Sequence, residues 1–237
     1  MPQSYFIWNG IDCRSMGVIM RGPAAIVRPE ERVQHVTIPG RTGDLTELEG
    51  ENIYNSYIQT VSISVRGGFR VRDIYKWLRG EGYVTFSGEP DRKQKARIIG
   101  AITLNRVSRN LDNWAGEVQF YCQPMKQKLT EDTVTVTSSG TAVQNTGDVE
   151  SKPKITAKAN GSSMTITAGG KSLTITGLTS GSEYIIDSEI MEVSNAARTA
   201  LLTKDSVGSF PVLQPGNNAV TGSGWSKLVI DRRERFL

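Results

Sequence analysis

The chain has 237 residues, 38% of them hydrophobic and 22% charged, with 24 glycines, 9 prolines and a formal net charge of +4. That composition describes a loop-rich globular protein with room for one large domain or two ordinary ones, and it excludes a fibrous or disordered chain. No apolar run approaches the roughly 20 residues of a membrane-spanning helix, and the first ten residues lack the basic start and long apolar stretch of a secretory signal, so synthesis in a cytoplasm without membrane insertion is expected.

The charge is uneven, with 18 Lys and Arg against 13 Asp and Glu through Leu129 and 10 against 11 after it. Such an asymmetry points to two domains with different neighbours. The basic excess is too small and too mixed with acids to indicate specific nucleic-acid binding. Cys13 and Cys122 are too few to form a disulfide framework and are expected as reduced thiols.

In chain order, Tyr5-Phe6-Ile7-Trp8 is followed by Asn9-Gly10, a turn dipeptide because both residues tolerate positive φ. Ile11 to Met20 reads as strand material broken by Gly17, with Pro23 and Pro29 marking the edges of the next extended stretch. Arg32 to Ile38 alternates polar and apolar residues as a half-buried strand does, and stops at Pro39-Gly40. Arg41-Thr42-Gly43-Asp44 then forms a second turn. Tyr57 to Arg66 alternates again, with Ile58 on the outside, and Gly67-Gly68 ends it. One helix follows, with Val71, Ile74, Tyr75 and Leu78 at i, i+3, i+4 and i+7 on one face, and Gly80 and Gly82 as its stop. Tyr83 to Phe86 restarts the sheet, Asp91 to Lys95 is a charged bend, and Ala96 to Asn105 and Gly116 to Gln123 are two longer strands around an Asn110–Asn113 turn. The first domain is therefore a β-rich sheet with one helix against it.

After Pro124 the composition shifts to short runs separated by glycine turns: Thr133–Thr137, Lys154–Lys158, Met164–Ala168, Ser172–Thr176, Glu183–Asp187, Ile190–Val193, Leu201–Thr203, Ala219–Thr221 and Lys227–Asp231. Many short strands at this spacing predict a β-sandwich. The boundary falls near Leu129–Thr133, giving domains 1–130 and 131–237 in a mainly β, α+β chain.

Chemistry is hard to find. A triad or zinc site leans on histidine, and the single histidine, His35, sits inside a strand. No metal-binding spacing joins it to either cysteine. The acids Asp44, Glu47, Glu49 and Glu51 read as a solvated loop, without the alternating pattern of a calcium site. No glycine-rich phosphate loop is present, and Asn160-Gly161-Ser162 reads as a hairpin turn rather than a glycosylation acceptor. No catalytic residue, metal or cofactor is expected. Trp225 near the end of the sandwich has two readings: core packing, the commoner fate of a lone Trp, or an exposed ring that stacks on a sugar.

The sequence also resembles the distal tail proteins of long-tailed phages. Ile7-Trp8-Asn9-Gly10-Ile11-Asp12-Cys13-Arg14-Ser15-Met16-Gly17-Val18, then Arg28-Pro29, Arg32-Val33 and Ile38-Pro39-Gly40-Arg41-Thr42-Gly43-Asp44-Leu45, are similar to that family's opening. Phe210-Pro211-Val212-Leu213-Gln214-Pro215-Gly216-Asn217-Asn218 looks like its closing segment, and Ile185-Ile186-Asp187 and Val193-Ser194-Asn195 sit where members carry similar strands. Cys13 departs from the usual acidic or Ser neighbour of the first turn, and the chain has no room for the inserted arms or sugar-binding modules of longer members.

The resemblance implies a structural virion protein, not an enzyme, assembled in the host cytoplasm at the distal end of the tail. It implies a homo-hexameric ring of N-terminal domains around a channel that DNA passes through, and a galectin-like C-terminal sandwich as a docking platform. The implied partners are the tail tube protein on one side and a tail-associated hub, fibre or receptor-binding protein on the other. Arg41, Thr42, Gly43 and Asp44 become candidate inter-subunit or tube contacts, against the alternative of a solvent hairpin. Val71, Ile74, Tyr75 and Leu78 are candidates for domain core or subunit interface. The competing reading is a carbohydrate-binding module that recognises the host surface through the sandwich and Trp225. A third, a wall hydrolase using Glu47 and Glu49, rests on no more than a dense acidic run.

Overall fold

The computed structural model describes residues 3–48, 50, 52–66, 71–107, 112–130 and 133–237. Chain contacts divide it into two compact units, Met1–Leu129 with Leu237, and Thr130–Phe236.

The first unit is built on strands β1 (Phe6–Trp8), β2 (Ile11–Asp12), β3 (Val18–Met20), β4 (Val33–Val36), β5 (Leu45–Leu48) and β6 (Tyr57–Arg66), helix α1 (Val71–Trp77), and strands β7 (Glu81–Phe86), β8 (Arg92–Ile99), β9 (Leu104–Arg106) and β10 (Asn113–Lys128). Its main sheet runs β2-β1-β7-β8-β10-β6-β3, with β9 pairing the first residues of β10. All of these pairings are antiparallel. Strand β6 shows the rule that sets the inner face. Gln59, Val61, Ile63 and Val65 are buried, and the residues between them, with Ile58, look outward. Phe6, Trp8, Val18, Val61, Ile63, Ile74, Val84, Val118 and Phe120 form one core. Phe120 lies 5.5–5.7 Å from the rings of Phe6, Trp8 and Phe86.

Several local expectations change. Between β2 and β3 the chain makes a 3-10 turn, Cys13–Met16, started by Asp12, which accepts from the Arg14 N–H at 2.8 Å, and ended by Gly17 at φ +67°. The run 96–105 is two strands, because Gly100 at φ +70° turns the chain between β8 and β9. Arg92 to Lys95 belong to β8 rather than to a charged bend. Strand β10 continues past Pro124, which has no N–H to give to a ladder, and the register with β8 shifts between Cys122 and Lys126 to accommodate it. The acidic run from Asp44 contains a strand, β5, paired with β4. Gly82 lies within β7 and does not stop the helix, whereas Gly80, at φ +77°, does. Glu49, Glu51, Gly67, Gly68 and Asn110 lie outside the described residues.

Helix α1 is one short element. Ile74 and Leu78 are buried and Val71 is partly so, but Tyr75 is 40% exposed. Trp77 takes the place expected of Tyr75. Its ring stacks on Phe6 at 5.7 Å and its indole N–H donates to the Trp8 carbonyl at 3.4 Å.

The second unit contains β11 (Thr133–Val136), β12 (Thr141–Asn145), β13 (Lys154–Ala159), β14 (Ser163–Ala168), β15 (Lys171–Thr176), β16 (Glu183–Asp187), β17 (Glu192–Asn195), β18 (Ser206–Gly208), β19 (Gly216–Ser223) and β20 (Trp225–Asp231). They form two five-stranded sheets, β11-β20-β13-β16-β17 and β12-β19-β14-β15-β18. Ile155, Ala157, Ile186, Leu228 and Ile230 of the first meet Val143, Met164, Ile166, Leu173 and Val220 of the second in one buried cluster, so the unit is a sandwich. Strands β12 and β18 had no counterpart in the sequence pattern, and Leu201 to Thr203 leads into a 3-10 turn, Thr203–Asp205. The segment before β19 is held by Asn218, whose side chain accepts from the Gln214 N–H at 2.9 Å and donates to the Gln214 carbonyl at 2.7 Å.

Candidate functional site

The residues singled out by sequence fall in three separate places. Arg41, Thr42, Gly43 and Asp44 stand together at the tip of the β4–β5 ribbon and are all exposed. Gly40 and Gly43, at φ +82° and +80°, supply the left-handed backbone of the tip, and the Thr37 hydroxyl donates to Asp44 at 2.8 Å across its neck. At the root, Arg32 N–H donates to the Ile53 carbonyl at 2.9 Å and Asn55 N–H to the Glu30 carbonyl at 2.8 Å, extending the ladder toward Tyr54, which is buried.

This ribbon is a sheet of two strands only, so among the described residues the outer backbone edges of β4 and β5 pair with no other strand. It also carries apolar side chains in the open: Leu48 is 62% exposed, and Ile38 and Ile53 are each 38% exposed. A two-stranded ribbon with free edges and uncovered apolar residues is well suited to contact another chain. The sequence reading missed Leu48 and Ile53. The signal was the Leu45-Thr46-Glu47-Leu48 alternation, which the neighbouring acids masked.

The helix residues behave as domain core. Ile74 and Leu78 are buried with Trp8 and Phe120, leaving Tyr75 and the charged Arg72, Asp73, Lys76 and Arg79 on the surface. Trp225 is 8% exposed and packs inside the sandwich with Ala159, Met164 and Leu228. Its ring therefore offers no open face to a sugar, which corrects the stacking expectation. Among the described residues its indole N–H has no hydrogen-bond partner.

Among the described residues no three His, Cys, Asp or Glu side chains converge as metal ligands. His35 is exposed on the ribbon, with Nδ1 3.3 Å from the Thr46 hydroxyl. Both cysteines are free and buried. Burial pushes the Cys122 thiol up to about 12 and raises Cys13 as well, so neither supplies a thiolate at neutral pH. In the first unit the buried Lys126 ammonium meets Glu89 at 2.7 Å beside Gln94. Gln94 accepts from the Tyr57 hydroxyl at 3.1 Å and donates to the Gln123 carbonyl at 2.6 Å, which fixes the bulged part of β10. Burial pushes Tyr57 up to about 12.

No family model and no curated protein matches the sequence. Among solved structures it matches the crystal structure of the Dit protein (gp 19.1) of phage SPP1, described as a paradigm of the hub adsorption apparatus in phages that infect Gram-positive hosts. The TM-score is 0.77 at 19% identity, and the match covers 99% of this chain and 99% of that one. The chain has the fold of SPP1 Dit. The resemblance read from the sequence is thereby borne out at the level of fold, across both compact units.

Proposed function

We propose that this chain is a structural protein of a phage tail, located at the distal end and assembled there as a ring of six copies. The observation that carries this reading is the fold shared with SPP1 Dit over the full length of both chains. The ordered sequence motifs at both ends of the chain add to it. In this reading the first unit forms the ring around a channel for DNA, and the second is a galectin-like platform for a hub, fibre or receptor-binding partner. The ring sits between that partner and the tail tube. The protein is not an enzyme, and it is assembled into tails in the host cytoplasm.

The exposed ribbon supports the assembly half of the proposal. Ring closure needs head-to-tail contacts whose rotation closes, and free strand edges offer such a contact through strand addition. Residues Arg41 to Asp44 and the uncovered Leu48 and Ile53 would then be covered by a neighbouring subunit or by the tube.

Solution mass tests the reading. Light scattering after size exclusion, over a range of concentrations, is expected to give a whole multiple of six 26.0 kDa chains, with rings visible by negative-stain microscopy. A strict monomer that also fails to form rings on added tail tube protein would end the proposal.

A further inference from the structure

The chain contains two Asn-Gly steps, Asn9-Gly10 and Asn160-Gly161. In this dipeptide the glycine nitrogen, unshielded by a Cβ, lies within reach of the preceding carboxamide carbon. Attack closes a five-membered ring, so the reacting groups are already held together. The two steps sit in opposite surroundings.

Asn9 is fastened. It holds φ +50° in the turn between β1 and β2, and its N–H donates to the Tyr83 carbonyl at 2.9 Å. Its Oδ1 accepts from the Tyr83 N–H at 2.9 Å. Gly82 leaves room for that carboxamide, since a Cβ there would collide with Oδ1. To turn its Cγ toward Gly10, Asn9 has to give up its side-chain bond to β7.

Asn160 is not fastened. Residues 160–162 form no hairpin but carry the chain from β13 in one sheet to β14 in the other. The main chain of this link is fixed, with the Asn160 N–H donating to the Gly224 carbonyl at 2.8 Å and the Leu178 N–H to the Ser162 carbonyl at 2.9 Å. The Asn160 side chain is exposed, and among the described residues no hydrogen bond holds its carboxamide. Gly161, at φ +142°, is open too: the nearest atom to a Cβ built there is the Ser163 carbonyl oxygen, at 3.9 Å. Two residues earlier, Lys158 is exposed like Asn160, with Lys227 opposite it on one side and Glu183 on the other. The excess of positive charge favours the amide anion that attacks and the oxyanion that follows.

We propose that Asn160 is a self-modification site, converted through a succinimide to aspartate and isoaspartate. The Gly161 nitrogen loses its proton to water and bonds to Asn160 Cγ, the Cγ–Nδ2 bond breaks, and Nδ2 leaves as ammonia. Water then opens the ring. Opening at Cγ gives aspartate, and opening at the main-chain carbonyl carbon gives isoaspartate, whose main chain runs through Cγ and is one methylene longer. Either product puts a carboxylate beside Lys158 and Lys227, offsetting the repulsion between like charges that face each other across a ladder. Isoaspartate also lengthens the link between the two sheets.

The test is peptide mapping by mass spectrometry of the folded wild type held at mildly alkaline pH. Trypsin separates the two steps, because Asn9 falls in residues 1–14 and Asn160 in residues 159–171. The 159–171 peptide is expected to take the mass change of an amide NH2 becoming a carboxylic OH. It should split into two chromatographic peaks, one of them a substrate for an isoaspartyl methyltransferase. The 1–14 peptide should lag by about five- to tenfold, the effect of one neutral hydrogen bond that must first be broken, and catch up in urea. Asn160→Gln, which would need a six-membered ring, should abolish the signal in residues 159–171 while circular dichroism stays native. A folded protein in which Asn160 converts no faster than Asn9 would overturn the proposal. Aspartate as the single product, with no isoaspartate, would overturn the succinimide route.

Discussion

Arg233 holds a left-handed backbone, φ +45°, and forks its guanidinium onto Asp187 at 2.7 and 2.9 Å, with Glu189 at 3.3 Å and Asp231 at 3.8 Å. Burial by itself would raise the Asp187 carboxyl, but the Arg233 hydrogen bonds and charge outweigh it and hold the group below its ordinary value. A depressed carboxylate contributes stability that is present above the unfolded value and lost as the pH falls through the lower folded one. Replacing Arg233 by Ala should therefore cost about 1.5–3 kcal/mol at pH 7, the range for hydrogen bonds to charged groups. The gap between Arg233→Ala and wild type should shrink at pH values below the carboxylate range. Urea melts of both proteins at pH 7 and pH 2 check this, and an equal gap at the two values would remove Asp187 as the partner. Nothing in the sequence marks this pair. The partners are 46 positions apart, and only the β16–β13–β20 pairing brings their strand ends together.

At the scale of elements, helix α1 shows what a periodicity can and cannot place. The four residues at helical spacing identified the helix, and its end at Gly80 followed from the backbone freedom of glycine. The centre of the buried face was misplaced by part of a turn, because Trp77 anchors it against Phe6 and rotates Tyr75 outward. Seven residues give too little of a stripe to fix its middle, and the stacking partner lies 71 residues away. Truncating Ile74 to Ala should cost about 2–5 kcal/mol, as for a fully buried aliphatic side chain. Tyr75→Ala, a surface change, should stay within about 0.5 kcal/mol. Denaturant midpoints measure both, and a large loss at Tyr75 would mean that this ring is covered in the folded protein. The strands follow the same logic. Alternation broken only at Ile58 located β6 to the residue, and turn signals bounded the short run that is β16, whereas β12, β18 and the β8–β9 break depend on partners and on Gly100 rather than on any local pattern.

At the scale of the molecule, the order of weak motifs along the chain carried more than any single one. Ile38 to Leu45 at one end and Phe210 to Asn218 at the other are ordinary turn chemistry taken singly, yet their order across two domains points to the fold that the chain shares with SPP1 Dit. Exposure was not legible: the pattern that marks a strand is the same whether its apolar side chains meet a core or stand open, as Leu48 does. The ribbon tip is where this matters for assembly. Arg41 and Asp44 are exposed, and among the described residues the only side-chain bond lost on reversing them is the one from Thr37 to Asp44. A double reversal, Arg41→Glu with Asp44→Lys, should leave circular dichroism and the melting temperature nearly unchanged. If the tip is covered by a neighbouring subunit in the ring, the reversal meets that neighbour's charges with the wrong sign. A penalty of about 1.4 kcal/mol per contact would weaken association about tenfold, and six contacts in a closed ring compound the effect. Light scattering should show the variant shifting to smaller species at concentrations where wild type is fully assembled. Native spectra with undiminished assembly would take the tip out of the subunit contact and leave the tail tube as its partner.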